Sequence, residues 1–125
     1  MVKVKALIAI IIVGIALLLM VGCASPAEPL TTEPDFYGFI TEVRAVGNNN
    51  VVGTIAVESH ADKIVDKYVI TVKNTTSLFR QDGEVYYEIS FDGLEAKQWL
   101  KIWFDGPVME SWPMQARALQ VVIIQ

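Results

Sequence analysis

The segment "FDGLEAKQWLKIWFD", residues 91–105, contains the change of pattern that decides the fold. Its first half, through Gln98, interrupts a strand-like pattern for about one helical turn. Its second half alternates between two faces, because successive side chains of a strand point in opposite directions. The two faces hold Leu100, Ile102 and Phe104 on one side and Trp99, Lys101 and Trp103 on the other. The segment therefore predicts a short helical insertion followed by a strand.

The chain on both sides of this segment also has strand periodicity. Upstream lie the runs "FYGFITEVRAV", "VVGTIAVE" and "KYVITVK", and then "TSLFRQDGEVYYEISF", which predicts a hairpin turned at Asp82-Gly83; downstream lies "ARALQVVIIQ". The polar stretch "SHADKIVD" predicts a loop between the second and third strands. Three strands, a helical insertion and two more strands is the order of an OB barrel. We therefore expect an all-β domain with minor helix over residues 36–125, a five-stranded OB-like barrel with an extra hairpin; the alternative is a sandwich of the same strands.

The first residues have the layout of an export signal. Two lysines precede the apolar run "ALIAIIIVGIALLLMVGCA". Its end, "LMVGC", resembles the lipobox of bacterial lipoproteins, although Met20 stands where that family usually has leucine. The resemblance implies that residues 1–22 are a signal peptide cleaved after Gly22, and that Cys23 carries a lipid. The alternative is an uncleaved anchor helix, because the run approaches the ~20 residues that span a bilayer.

Residues 23–35, "CASPAEPLTTEPD", predict a disordered tether, because they have three prolines and no apolar period. Cys23 is the single cysteine, which excludes an intrachain disulfide.

Loss of residues 1–22 removes two lysines and no acid, so eight of the ten basic residues remain with 14 acidic ones and the net charge is about −6. Such a charge disfavours nucleic acid as a partner. We expect a lipid-anchored protein on the extracytoplasmic side of the cell membrane, with an unknown envelope ligand or protein as partner.

Three segments carry a family resemblance: "FYGFITEV", "GLEAKQWLKI" and "LKIWFDGPVMESWPMQARALQVVII". Gly-Pro followed by Glu-Ser-Trp-Pro-x-Gln-Ala is similar to the pattern of the small YobA-like lipoproteins of bacteria. The resemblance covers most of residues 36–125 and implies an exported, anchored OB-like barrel without a known activity. Lys97 departs from the pattern, since members often have glycine there. Glycine would suit a helix end in the left-handed conformation.

His60, the single histidine, is the one candidate for acid-base chemistry. A hydrolase would need a nucleophile beside it, and neither Ser59 nor Ser111 lies in a nucleophile motif. A polar loop explains the same residues without any catalytic function. The Asp-Gly pairs do not fit the spacing of a calcium loop and predict turns instead. We therefore predict no enzyme activity, no cofactor and no metal.

Aromatic side chains are the strongest candidates for binding. Strands one and four are neighbours in an OB barrel, so Tyr37 and Phe39 are expected beside Trp99 and Trp103 on the outer face. These four side chains predict a binding site for a sugar ring or a partner protein. The alternative is a second small core, with the rings covered by the hairpin or the helical turn.

Trp112 lies in the connection between the last two strands, which flanks the binding face of OB folds. Two interpretations follow from the sequence. The ring is either a lid that folds over the barrel end, with Pro113 fixing the backbone, or a surface on which a ligand stacks.

Together these features predict a non-catalytic binding or adaptor module anchored through Cys23. The alternatives are a structural subunit of an envelope assembly and a small hydrolase that uses His60.

Overall fold

Antiparallel strands joined by short turns make up most of the protein. The structure, a computed structural model, describes residues 28–61 and 64–125. The strands are β1 (Phe36–Asn48), β2 (Val51–Ala61), β3 (Ile64–Lys73), β4 (Ser77–Asp82), β5 (Val85–Glu88), β6 (Trp99–Phe104) and β7 (Met114–Ile124), with one 3-10 turn at Phe91–Gly93. The predicted signal peptide, Cys23 and the first residues of the predicted tether lie outside the described residues.

Five of the strands close into a barrel. The sheet runs β3-β2-β1-β6-β7, and the first and last of these strands also pair with each other, in parallel. That pairing runs from Tyr68 opposite Met114 to Thr71 opposite Arg117. β1 lies beside β6, as expected for strands one and four of an OB barrel. The predicted OB-like barrel with an extra hairpin is therefore confirmed, and the sandwich alternative is excluded.

The extra hairpin, β4 and β5, extends the sheet beyond the barrel. β7 pairs with β3 through its first half and with β4 through its second half, from Gln120 to Ile124. Thr76 bridges the change of partner: its Oγ1 accepts from the Lys73 backbone N–H at 2.9 Å and donates to the Ala118 carbonyl at 2.7 Å. The hairpin turn contains Gly83, at the position predicted for it.

The barrel interior follows the period-two pattern of the sequence. Its fully buried residues are aliphatic and come from all five barrel strands: Ile40, Ile55, Ile70, Val72, Leu100, Ile102 and Val121. One end is closed by the segment of the 3-10 turn, where Leu94 is buried and the ring of Phe91 packs over Gly53. Burying each such side chain contributes about 1.5–3 kcal/mol before the entropy of ordering is subtracted.

Residues 30–35, which we call the N-terminal strap, bind to the outside of the barrel. The Leu30 N–H donates to Gln120 Oε1 at 2.8 Å, and Gln120 Nε2 donates to the Leu30 carbonyl at 3.3 Å. Trp103 Nε1 donates to Thr32 Oγ1 at 3.0 Å. At the end of the predicted tether, Leu30, Thr32 and Asp35 therefore find hydrogen-bond partners on β6 and β7.

One prediction about local structure is wrong. The stretch "SHADKIVD" is not a loop throughout, because β2 and β3 continue to pair from Ser59 opposite Asp66 to Ala61 opposite Ile64. Polar side chains on an exposed two-stranded ribbon do not interrupt the backbone hydrogen bonds between its strands. The predicted helical turn is present as the three-residue 3-10 turn Phe91–Gly93. Within residues 28–61 and 64–125 no helix is long and apolar enough to cross a membrane.

Candidate functional site

Three aromatic side chains lie together on the outer face of β1 and β6. Phe39 is opposite Trp99 in the strand register, and Tyr37 is the next outward residue of β1. The ring centroids are 5.3 Å apart for Phe39 and Trp99 and 5.6 Å apart for Tyr37 and Trp99. Tyr37 and Trp99 are 53% and 47% exposed. We call these three residues the aromatic platform; the sequence correctly predicted that they would meet.

A group of charged side chains borders the aromatic platform on β2 and β3. Glu58 is opposite Phe39 on one side and opposite Lys67 on the other. Its carboxylate lies 3.1 Å from His60 Nε2 and 3.6 Å from Lys67 Nζ. The hydrogen bond from His60 is the main cause that lowers the pKa of Glu58, and Lys67 adds to it. The Phe39 ring also contacts the His60 ring, at 5.4 Å between centroids.

Lys101 borders the other side of the aromatic platform. It is opposite Tyr37 in the register of β1 and β6, and it lies two residues from Trp99 on the same face. Within the described part of the chain, its ammonium group forms no ion pair with a carboxylate. The rings therefore have a cation on one side and the group of Glu58, His60 and Lys67 on the other.

Trp103 does not belong to the aromatic platform, although the sequence predicted it there. It has the expected outward direction, but it is 7% exposed and packs with Phe79 and Val122 in a second small core. Tyr86 of the hairpin completes this cluster, and the N-terminal strap binds the indole N–H. The alternative prediction, that outer aromatics are covered, is right for Trp103 and wrong for Trp99.

Trp112 is not a lid. Its side chain is 68% exposed at the tip of the connection between β6 and β7. The tip is held by a short antiparallel bridge between Met109 and Gln115, with backbone hydrogen bonds of 2.7 and 3.1 Å. Trp112 precedes a cis peptide bond to Pro113. The lid prediction failed because alternation gives no direction for a side chain in a turn.

The surroundings of His60 contain part of a catalytic arrangement. Glu58 orients the imidazole, as a carboxylate orients a general base. Ser59 is adjacent in β2 and so points to the opposite face of the strand. Ser111 lies in the β6–β7 loop, where its hydroxyl donates to the Pro113 carbonyl. Neither serine forms a hydrogen bond with His60 among the described residues.

Several residues of the site were not found from the sequence. Glu58 and Lys67 border the aromatic platform because of the strand register, which includes an irregularity between Ile40 and Glu42. Alternation in the sequence indicates the face of the strand on which Glu58 and Lys67 lie, but it does not indicate which residues of the adjacent strand lie beside them. Among the residues that the structure describes, no group of three His, Cys, Asp or Glu side chains could hold a metal ion.

Searches of protein-family models, curated proteins and solved structures returned no match to this chain. The resemblance to YobA-like lipoproteins therefore stays a prediction from the segments that carry it.

Proposed function

We propose that this chain is an extracytoplasmic lipoprotein of the YobA-like kind, anchored to the cell membrane by a lipid on Cys23, and that it is a non-catalytic binding module. Its ligand is an envelope glycan whose sugar rings stack on the aromatic platform. The lipobox-like segment supports the anchor, and the geometry of Tyr37, Phe39 and Trp99 supports the binding role.

The single observation that carries the binding role is the exposure of the aromatic platform. Large apolar side chains that remain in water beside one another are uncommon on monomers and mark interaction sites. The rings touch at 5.3–5.6 Å between centroids and leave no gap for a ligand group between them. A ligand must therefore lie on top of them, which suits the flat apolar face of a sugar ring. Lys101 and Glu58 border the rings and offer hydrogen bonds to sugar hydroxyls.

The N-terminal strap limits how far the barrel can move from the anchor. Only six residues, 24–29, separate Cys23 from Leu30, which the side chain of Gln120 binds, so seven peptide steps join the two. An extended chain of that length spans at most about 25 Å. A lipid on Cys23 would therefore keep the aromatic platform among the glycans closest to the membrane surface.

The binding role is tested with the full chain in zwitterionic nanodiscs and a panel of purified envelope oligosaccharides. We expect at least one glycan to bind, with a saturable change in tryptophan fluorescence, and Trp99→Ala to weaken its binding at least tenfold. Trp112→Ala is the matched control, since that indole is exposed away from the aromatic platform. Equal losses in both variants, or no binding across the panel, would contradict the proposal.

The anchor is tested separately by Cys23→Ser. We expect the variant to accumulate as an uncleaved precursor, while the native chain is processed and partitions into detergent. A native chain that keeps residues 1–22 would support the anchor helix instead. A variant that is processed normally would rule out lipidation.

A further inference from the structure

A second concave surface lies away from the aromatic platform, between the β6–β7 loop and the parallel pair β3 and β7. It encloses about 440 Å³. One wall is apolar and the other is polar: the lining side chains are Pro107, Val108 and Met109 on one side and Thr71, Gln115 and Arg117 on the other. A volume of this size and a few converging polar groups are typical of small-molecule sites.

The apolar wall is held in place by its own backbone. Met109 and Gln115 exchange two backbone hydrogen bonds, of 2.7 and 3.1 Å, which fix the base of the loop tip. At the other end of the loop, the Asp105 N–H donates to the Arg117 carbonyl at 2.8 Å. The loop thus forms a fixed wall beside β7.

Arg117 is also held in a defined position. Its Nε donates to the Asp105 carbonyl at 3.3 Å, and its guanidinium lies across Gly106. A Cβ atom at Gly106 would come within 2.7 Å of Arg117 Nη2, and the φ of +85° there also favours glycine. The hydrogen bond from Nε uses one of the five N–H donors of the guanidinium. No described residue accepts a hydrogen bond from the other four. The guanidinium is therefore held through its Nε while most of its donors stay available.

The charges around this surface favour an anion next to Arg117. No carboxylate of the described residues lies within ion-pair distance of that guanidinium. Asp105 and Glu110 belong to the same loop but do not line the surface. Lys73 follows Thr71 on the same outward face of β3 and adds a second cation nearby.

We propose that this surface is a binding site for a carboxylate carried on a short apolar chain. The carboxylate pairs with Arg117, accepts hydrogen bonds from Thr71 and Gln115, and leaves its chain against Pro107, Val108 and Met109. Arginine suits this role because its planar fork matches the two oxygens of a carboxylate. The site does not depend on the aromatic platform, which lies on β1 and β6.

Three probes of equal chain length test the proposal: hexanoate, hexanol and hexylammonium. The full chain is held in zwitterionic nanodiscs, with empty nanodiscs as the blank, and isothermal titration calorimetry measures binding. We expect hexanoate to bind at least tenfold more tightly than either of the other two. Arg117→Gln should remove that preference, and Gly106→Ala should reduce it by displacing the guanidinium.

Matched variants show whether hexanoate binding depends on Arg117 in particular. Arg80→Gln removes an exposed arginine of β4, which packs on Tyr87, and should leave hexanoate binding unchanged. Trp99→Ala should also leave it unchanged, so a failure of the glycan proposal does not affect this test. The proposal is wrong if hexanol binds as tightly as hexanoate, if Arg117→Gln keeps the preference, or if no probe binds.

Discussion

Trp99 and Trp103 lie on the same strand and on the same outer face of the barrel, yet only one of them is covered. Trp99 is 47% exposed, and Trp103 is 7% exposed. The alternation of β6 gives both the same direction. The difference arises from the neighbours of each ring: Phe79 and the N-terminal strap cover Trp103, whereas Trp99 has the rings of Tyr37 and Phe39 beside it and stays half exposed.

This contrast divides the outer face of the barrel into two regions. Around Trp103 the sheet has a second core and belongs to the stable structure. Around Trp99 the sheet has exposed aromatic rings with charged neighbours, which is typical of an interaction site. An aromatic residue on the outside of a small barrel is therefore a binding candidate only where nothing from elsewhere in the chain covers it.

The largest expected effect comes from removing each ring in turn. Trp103→Ala should lower the free energy of unfolding by about 3–5 kcal/mol, because it empties the second core. Trp99→Ala should cost less, about 1–2 kcal/mol, since the half-exposed ring loses its contacts with Tyr37 and Phe39. Chemical denaturation followed by circular dichroism measures both. Similar losses in the two variants would remove the distinction between the regions.

The next variant weakens the contact between the N-terminal strap and β7 and keeps the indole ring of Trp103. Gln120 is 2% exposed, and its amide bonds only to the backbone of Leu30 among the described residues. Gln120→Leu should cost about 1–2 kcal/mol, the net value of two hydrogen bonds. It should also make Trp103 accessible to acrylamide quenching in a chain with Trp99→Phe and Trp112→Phe. Gln115→Leu, an exposed position on the same strand, is the control and should not change the quenching.

The contrast between the two tryptophans also shows how far sequence reasoning reaches. Period-two alternation placed Ile55 and Ile70 in the barrel, and the order of the elements made β1 and β6 neighbours. Cover of Trp103 by the hairpin was one of the two alternatives predicted from the sequence. The contact from Thr32 was not predictable, because Thr32 lies 71 residues earlier in the chain, in a segment that has no periodicity. Alternation reports local direction, whereas burial on an outer face depends on distant contacts.

A strained residue lies two positions before β6 begins at Trp99. Lys97 has a φ of +76°, and its N–H donates to the Ile40 carbonyl at 2.7 Å. A lysine therefore adopts the left-handed conformation that favours glycine. Lys97→Gly should raise the free energy of unfolding by about 1 kcal/mol, because a side chain in this region costs about that much. Lys97→Ala is the control and should give no gain, since alanine carries the same penalty; a gain in both would assign the effect to the lost charge.

The smallest effect concerns the charged border of the exposed region. Because His60 and Lys67 hold the pKa of Glu58 below its usual value, the ionised carboxylate stabilises the folded chain at neutral pH. That contribution is complete above the unfolded pKa of about 4.3 and is lost as the pH falls through the lower folded pKa. Denaturation midpoints measured from about pH 6 to about pH 3 should therefore fall less steeply in Glu58→Gln than in the native chain. Glu110→Gln, in the exposed loop, should keep the native slope. If Glu58→Gln keeps it too, the charged border contributes no stability, and its carboxylate is free to serve a ligand on the aromatic platform.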